Sequence, residues 1–213
     1  MGGMENPPSR STGSQGPGSQ GTGSGAALLL IDCQRDFWTP EHEAVFPGFP
    51  DAVARLLSLC RREGIEVIHV RSRFAPDRSD WMPPYRHLGS IPCVAGTEGE
   101  EVLPFAAEIE GERVFLKQTL DALQAPELVE HLHGSGTRTV LVAGLETSFC
   151  VLLTGASATQ AGYWTGVVAD AVADDPEIAG QRSPLEIYAG KLFFPLRLDQ
   201  VSGFAAKQVV KKA

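Results

Sequence analysis

The chain has 213 residues, and its 18 lysine and arginine residues against 26 aspartate and glutamate residues give a formal charge of −8. This length predicts one domain of ordinary size. Nucleic acids and anionic membranes bind first through clustered positive charge, so an acidic chain without a lysine- or arginine-rich block is expected to bind neither. No apolar run approaches the roughly 18 residues that span a bilayer.

The composition changes abruptly at Ala26. Residues 1–25 hold eight of the 23 glycines, interleaved with serine, glutamine and proline, and no aromatic or branched aliphatic residue. Such a segment cannot bury enough apolar area to offset the entropy lost on ordering, so we expect a disordered tail at 1–25 and a single domain at 26–213. The tail lacks the apolar centre of a secretory signal and the arginine content of a transit peptide, which favours a cytoplasmic protein. It could equally be an expression-vector remnant.

The cysteines and histidines show no metal-binding pattern. Cys33, Cys60, Cys93 and Cys150 include no C-x-x-C pair, and the five histidines do not pair with them at zinc-finger spacing. Without a secretory signal, free thiols in a reducing compartment are the expectation. We therefore predict no disulfide, no metal and no cofactor.

Short apolar runs alternate with amphipathic segments from Ala26 onward. The continuous apolar run AALLLI at 26–31 predicts a strand that is covered on both faces. Asp51 is the expected N-cap of a helix that Gly64 ends. The apolar face of this helix comprises Val53, Leu56, Leu57 and Cys60. IEVIHV at 65–70 predicts the second strand.

The second half of the chain continues this alternation. After a proline-containing segment at 71–111, long enough to form a wall or lid over a site, RVFL at 113–116 predicts a third strand. A helix is expected at 125–133 and a buried strand at 139–144. The remaining predictions are a helix at 148–162, a strand at 164–170 and a weaker strand at 191–196. The pattern predicts a three-layer α/β/α, Rossmann-like fold with a mostly parallel six-stranded sheet.

Ligands bind at the carboxyl ends of the strands in such sheets, and three reactive residue types are predicted there. Asp32 follows the first strand, Lys117 follows the third, and Cys150 lies at the start of the helix after the fourth. The helix start should lower the pKa of the Cys150 thiol. Asp32 could serve as general base and Lys117 could stabilise the thiolate, although each residue alone is more often structural.

Four segments carry a resemblance to a known family. They are IDCQRDF at 31–37, FLKQTLDAL at 115–123, AGLETSFCVLLTGASATQAGY at 143–163 and VVADA at 167–171. Together they resemble the isochorismatase-like cysteine hydrolases from Ala26 to about Val201. The resemblance implies a homo-oligomer, such as a dimer or tetramer, that acts on a small molecule.

The resemblance also implies the roles of particular residues. Asp32, Lys117 and Cys150 would form a catalytic triad, with an oxyanion hole made by the backbone N–H groups of Glu146 and Cys150. The bond Leu145–Glu146 would be a cis peptide. Members that cleave isochorismate lack the nucleophilic cysteine, so Cys150 favours hydrolysis of an amide, ureido or carbamoyl C–N bond. The metal-binding histidines of nicotinamidases are absent around His69, which disfavours that branch.

The segment 71–111 is expected to shape specificity. An arginine there, foremost Arg71, could pair with a substrate carboxylate or ureido oxygen, whereas most arginines of the segment would form surface ion pairs. Phe37 and Trp81 would supply apolar walls. Gln34 and Thr147 complete the predicted substrate-binding residues.

Two other classes of function stay open on the sequence alone. The same fold could serve as a non-catalytic binding or scaffold protein. Cys150 could instead be a redox-sensing thiol, for which Cys33 is the candidate resolving cysteine.

Overall fold

A six-stranded sheet forms the centre of the structure, a computed structural model that describes residues 25–207. The strands are β1 (Ala26–Ile31), β2 (Glu66–Ser72), β3 (Arg113–Lys117), β4 (Thr139–Leu145), β5 (Trp164–Ala173) and β6 (Phe194–Leu196). Their order is β3-β2-β1-β4-β5-β6, and every neighbouring pair is parallel. The predicted fold class is confirmed, whereas the predicted tail, apart from Gly25, lies outside the described residues.

Helices cover both faces of the sheet. They are α1 (Pro40–Val45), α2 (Phe49–Glu63), α3 (Pro83–Leu88), α4 (Pro126–Gly134), α5 (Leu152–Gln160), α6 (Pro184–Ile187) and α7 (Val201–Lys207). One apolar cluster joins one face of the strands to α2 and α7, and a second joins the other face to α4 and α5. No helix within residues 25–207 has the length and apolar composition that spanning a bilayer requires.

Several strands run further than their apolar patterns predict. β2 continues to Ser72, which pairs in register with Lys117 at the end of β3. In the same way, Leu145 at the end of β4 pairs with Ala173 of β5. The apolar pattern marks where the core ends, but backbone pairing continues into the polar residues beyond it. These extra residues carry the sheet up to the candidate site.

The predicted N-cap at Asp51 is wrong, and a second predicted helix begins with a turn of another type. The second helix begins at Phe49, so Asp51 lies in its first turn and Gly48 takes the N-cap position. Pro50 explains the earlier start, because proline fits the first turn of a helix, where its missing N–H is not needed. The helix expected from Ser148 begins with a π-helical turn at Thr147–Val151, and α5 continues from it.

Gly144 permits the close approach of β4 to β1. Its φ is +111°, and a Cβ at this position would lie 2.0 Å from the carbonyl oxygen of Ile31. The pairing of β4 with β5 also shifts register between Val142 and Gly144. Only glycine fits here, because an added Cβ would clash with the backbone of Ile31, which the sheet holds in place.

Replacing Gly144 with alanine should therefore lower the free energy of unfolding by more than about 3 kcal/mol. The matched control is Gly134→Ala, at the end of α4, where an added Cβ meets nothing within 4 Å. We expect the control to change stability by no more than about 1 kcal/mol, in the stabilising direction. Urea denaturation measures both, and equal stability of the two variants would contradict the packing argument.

Candidate active site

The carboxyl ends of three strands bring Asp32, Lys117 and Cys150 together in the interior. The Lys117 Nζ lies 2.7 Å from Asp32 Oδ2 and 3.4 Å from the Cys150 sulfur. The exposed fraction of the side chains is 1% for Lys117 and 0% for Asp32. Lys117 thus contacts both of the other members of the predicted triad.

Ser72, at the end of β2, links the triad although the sequence did not single it out. Its backbone N–H donates to Asp32 Oδ1 at 2.8 Å, and its hydroxyl accepts a hydrogen bond from Lys117 Nζ at 2.9 Å. Lys117 Nζ further donates to the carbonyl of Thr119 at 3.0 Å. β2 lies between β1 and β3, so a residue at its end reaches both charged partners. These contacts fix the ammonium between the carboxylate and the thiol.

The electrostatics of the triad differ from the sequence-based expectation. Burial raises the pKa of the Cys150 thiol, the charge of Asp32 raises it further, and Lys117 opposes both. Burial also lowers the pKa of Lys117, but the charges of Asp32 and Cys150 outweigh that effect and the pKa is raised overall. The expected low pKa at the helix start is therefore wrong, because burial and the neighbouring carboxylate dominate. The resting thiol is neutral.

The loop that carries Cys150 is held at several points. The bond Leu145–Glu146 is cis, as the resemblance implies. The Ser148 backbone N–H and hydroxyl donate to the two carboxylate oxygens of Asp174 at 2.9 and 2.5 Å. The Thr147 hydroxyl donates to the carbonyl of Ala173 at 3.0 Å. These bonds anchor the π-helical turn to the end of β5.

A small cavity of ≈ 230 Å³ opens beside the thiol. It is lined by Phe37, Ser72, Phe74, Met82, Tyr85, Pro92, Thr119, Leu120, Glu146, Phe149, Cys150 and Asp175. The four cysteines are buried and free, but Cys150 alone among them lines this cavity. A larger groove of ≈ 760 Å³ runs between α2 and the end of β5 and contains no member of the triad. The Cys150 thiol therefore opens into the smaller of these two cavities.

The predicted substrate-binding residues divide between the cavity and its surroundings. Phe37 lines the cavity, whereas Gln34, Arg71, Trp81 and Thr147 do not. The buried Gln34 amide donates to the carbonyls of Ser72 and Glu100 at 2.9 Å each, and its oxygen accepts from the Ser72 N–H at 2.8 Å. It therefore braces the end of β2.

Arg71 and Trp81 make contacts within the segment 71–111 to which they belong. Arg71 forms an ion pair with Glu108, and the buried Trp81 indole donates to the carbonyl of Ala75 at 2.8 Å. The segment 71–111 does supply a wall of the cavity, as predicted, but through Phe74, Met82, Tyr85 and Pro92. The proline-containing composition marked the segment, but no pattern in the sequence placed these four side chains at the cavity.

The side chain of Glu146 is a titratable group of the cavity that the sequence did not indicate. Burial, followed by the charges of Asp175, Asp174 and Asp32, raises the pKa of Glu146 from 4.5 to about 7. The nearest basic group is His42, whose Nε2 lies 3.7 Å from Glu146 Oε1. Burial lowers the pKa of His42, which favours the neutral imidazole and weakens its attraction for the carboxylate.

Replacing Glu146 with glutamine should change how stability depends on pH. A carboxyl with a raised folded pKa favours the folded state at low pH, and that contribution is lost as pH rises from 4.5 to about 7. With a discount for the partly exposed side chain, Glu146→Gln should gain on the order of 2 kcal/mol over the wild type between about pH 5 and about pH 8. Urea denaturation at both pH values measures this, and parallel pH profiles would contradict it.

Within residues 25–207 there is no group of three or more histidine, cysteine, aspartate and glutamate residues that could hold a metal ion. The titratable side chains that line the cavity are those of Tyr85, Glu146, Cys150 and Asp175.

Several known proteins are similar to this chain in sequence and in fold. Residues 26–183 match the isochorismatase domain family. Maleamate amidohydrolase of Pseudomonas putida is 33% identical over 158 residues, which cover 70% of this chain and 72% of that protein. The structure also resembles that of an isochorismatase family protein from Desulfovibrio vulgaris, with a TM-score of 0.75, 30% identity and coverage of 85% of this chain and 98% of that one. N-carbamoylsarcosine amidase from Thermoplasma acidophilum has a TM-score of 0.65 and 25% identity, with coverage of 82% of this chain and 96% of that one.

Proposed function

The chain belongs to the isochorismatase family, and from the site on this fold we propose that it is a cysteine hydrolase of a C–N bond in a small amide, ureido or carbamoyl compound. One observation carries the proposal. A neutral thiol lies against a buried ion pair and opens into a cavity of small-molecule size. The amidohydrolase and amidase among the similar proteins support the same bond type.

The first half of the reaction forms an acyl-enzyme. Asp32 accepts the thiol proton of Cys150 while the sulfur attacks the carbonyl carbon. The resulting oxyanion is held by the backbone N–H groups of Glu146 and Cys150, two residues that line the cavity. The C–N bond then breaks, and ammonia or an amine leaves with the proton from Asp32. The product on the enzyme is a thioester or thiocarbamate.

The second half restores the thiol. Asp32 accepts a proton from water, whose oxygen attacks the acyl carbon. The C–S bond breaks, the acid leaves, and the proton returns from Asp32 to the sulfur. Lys117 keeps its charge throughout, so it offsets whichever anion is present, the Asp32 carboxylate or the Cys150 thiolate.

The two other classes of function fit the structure less well. A scaffold protein would have no use for a buried ion pair, because two desolvated charges contribute little to stability. For redox sensing, Cys33 would have to reach Cys150. The two cysteines pack in the apolar clusters on opposite faces of the sheet.

Two further properties belong to the proposal. We expect the enzyme to act on a small molecule in the cytoplasm, which suits its four free cysteines. We also expect a homo-oligomer, a dimer or a tetramer, as the family resemblance implies.

Cys150→Ala should lower amide turnover by at least about 10³-fold while leaving the fold intact, because it removes the nucleophile. Cys60→Ala is the matched control, since Cys60 is a buried cysteine of α2 that does not line the cavity. Ammonia release from a panel of small amides and ureido acids measures turnover, and thermal unfolding reports the fold. Turnover by Cys150→Ala at the level of the control would refute the proposal.

A further inference from the structure

The charged side chains that line the cavity are both carboxylates. Glu146 and Asp175 lie at its wall, and none of its described lining residues is a lysine, an arginine or a histidine. Lys117 is close by, but Asp32 lies against its ammonium at 2.7 Å. The remaining wall is largely apolar and aromatic, through Phe37, Phe74, Met82, Tyr85, Leu120 and Phe149. A substrate therefore meets negative charge and aromatic faces.

The arginines of the segment 71–111 make their contacts elsewhere. Arg71 forms an ion pair with Glu108, and Arg73 Nε lies 3.1 Å from Glu100 Oε2. The other two arginines of the segment, Arg78 and Arg86, contact uncharged groups. Arg86 donates to the carbonyl of Ser79 at 3.1 Å, and Arg78 lies over the ring of Trp81 at 5.1 Å. None of the four lines the cavity, so none is placed there to receive a carboxylate.

The protonation of Glu146 agrees with this excess of negative charge. After burial, the causes that raise its pKa to about 7 are the charges of Asp175, Asp174 and Asp32. A bound anion would add to the same repulsion. A bound ammonium group would relieve it, and the aromatic faces around it would stabilise the cation further.

We propose that this cavity selects small amides whose acyl group is apolar and carries no carboxylate, and that it prefers an acyl group ending in an ammonium near Glu146 and Asp175. The inference rests on the proposed hydrolase function and specifies its substrate class. It separates this chain from the proteins named for maleamate and N-carbamoylsarcosine, since both of those molecules carry a carboxylate. The cavity of ≈ 230 Å³ restricts the substrate to a short chain.

Three primary amides of similar length and different charge test the preference. They are γ-aminobutyramide, which is cationic, valeramide, which is neutral, and succinamate, which is anionic. We expect kcat/KM to fall in that order, with succinamate at least about tenfold below valeramide, because like charges meet in the cavity. Each rate is compared with that of Cys150→Ala.

The outcomes separate the two proposals. If succinamate is hydrolysed as fast as valeramide or faster, and the rate requires Cys150, the hydrolase stands and the charge preference is overturned. If no amide is hydrolysed in a Cys150-dependent reaction, the hydrolase proposal fails and the charge preference fails with it.

Variants that remove one carboxylate from the cavity test whether Glu146 and Asp175 cause the charge preference. Asp175→Asn retains the side-chain oxygen that accepts a hydrogen bond from the Glu177 backbone N–H. Glu146→Gln retains the backbone N–H that is proposed for the oxyanion hole. At about pH 8, each should lower the ratio of kcat/KM for γ-aminobutyramide to that for succinamate at least about fivefold. Glu110→Gln, which removes the same charge from an exposed residue outside the cavity, should leave the ratio unchanged. Ratios that equal the wild-type value in both cavity variants would overturn the assignment.

Discussion

The ion pair between Asp32 and Lys117 is the constraint on which the rest of the site depends. At 2.7 Å and an effective dielectric constant of about 20, the attraction is on the order of 6 kcal/mol. Desolvation costs several kcal/mol for each ion, so the pair contributes little net stability. In the proposed mechanism its contribution is chemical instead. The pair would supply a base and a fixed positive charge beside the Cys150 sulfur, in an interior where burial raises the pKa of the thiol.

The fold supplies this arrangement through the ends of neighbouring strands. Asp32 follows β1, Lys117 ends β3, and Ser72 at the end of β2 bonds to both. On the other side, Gly144 lets β4 approach β1 closely enough to bring the Cys150 loop over the pair. The site is thus built from backbone positions in the sheet, and residues 74–92 add one wall of the cavity.

The sequence predicts the parts of the site that depend on topology. The alternation of strands and helices predicts a parallel sheet, and the carboxyl ends of its strands place Asp32, Lys117 and Cys150 at the same edge of that sheet. The thiol pKa and the role of Arg71 could not be predicted, because both depend on neighbours chosen by folding. Arg71 meets Glu108 from its own segment, and no spacing rule selects that partner. The negative charge of the cavity was hidden for the same reason, since Asp175 joins Glu146 only in three dimensions.

The most direct test of the central claim is a titration of the Cys150 thiol by thiolate absorbance in the wild type and in Asp32→Asn, each corrected with its Cys150→Ala counterpart. The Asp32 charge raises the pKa of the thiol, and Lys117 lowers it. Removal of the carboxylate should therefore lower the thiol pKa and increase the thiolate at neutral pH, while amide turnover is lost because no base remains. An unchanged or higher thiol pKa in Asp32→Asn, or turnover that survives the substitution, would contradict the role assigned to the ion pair.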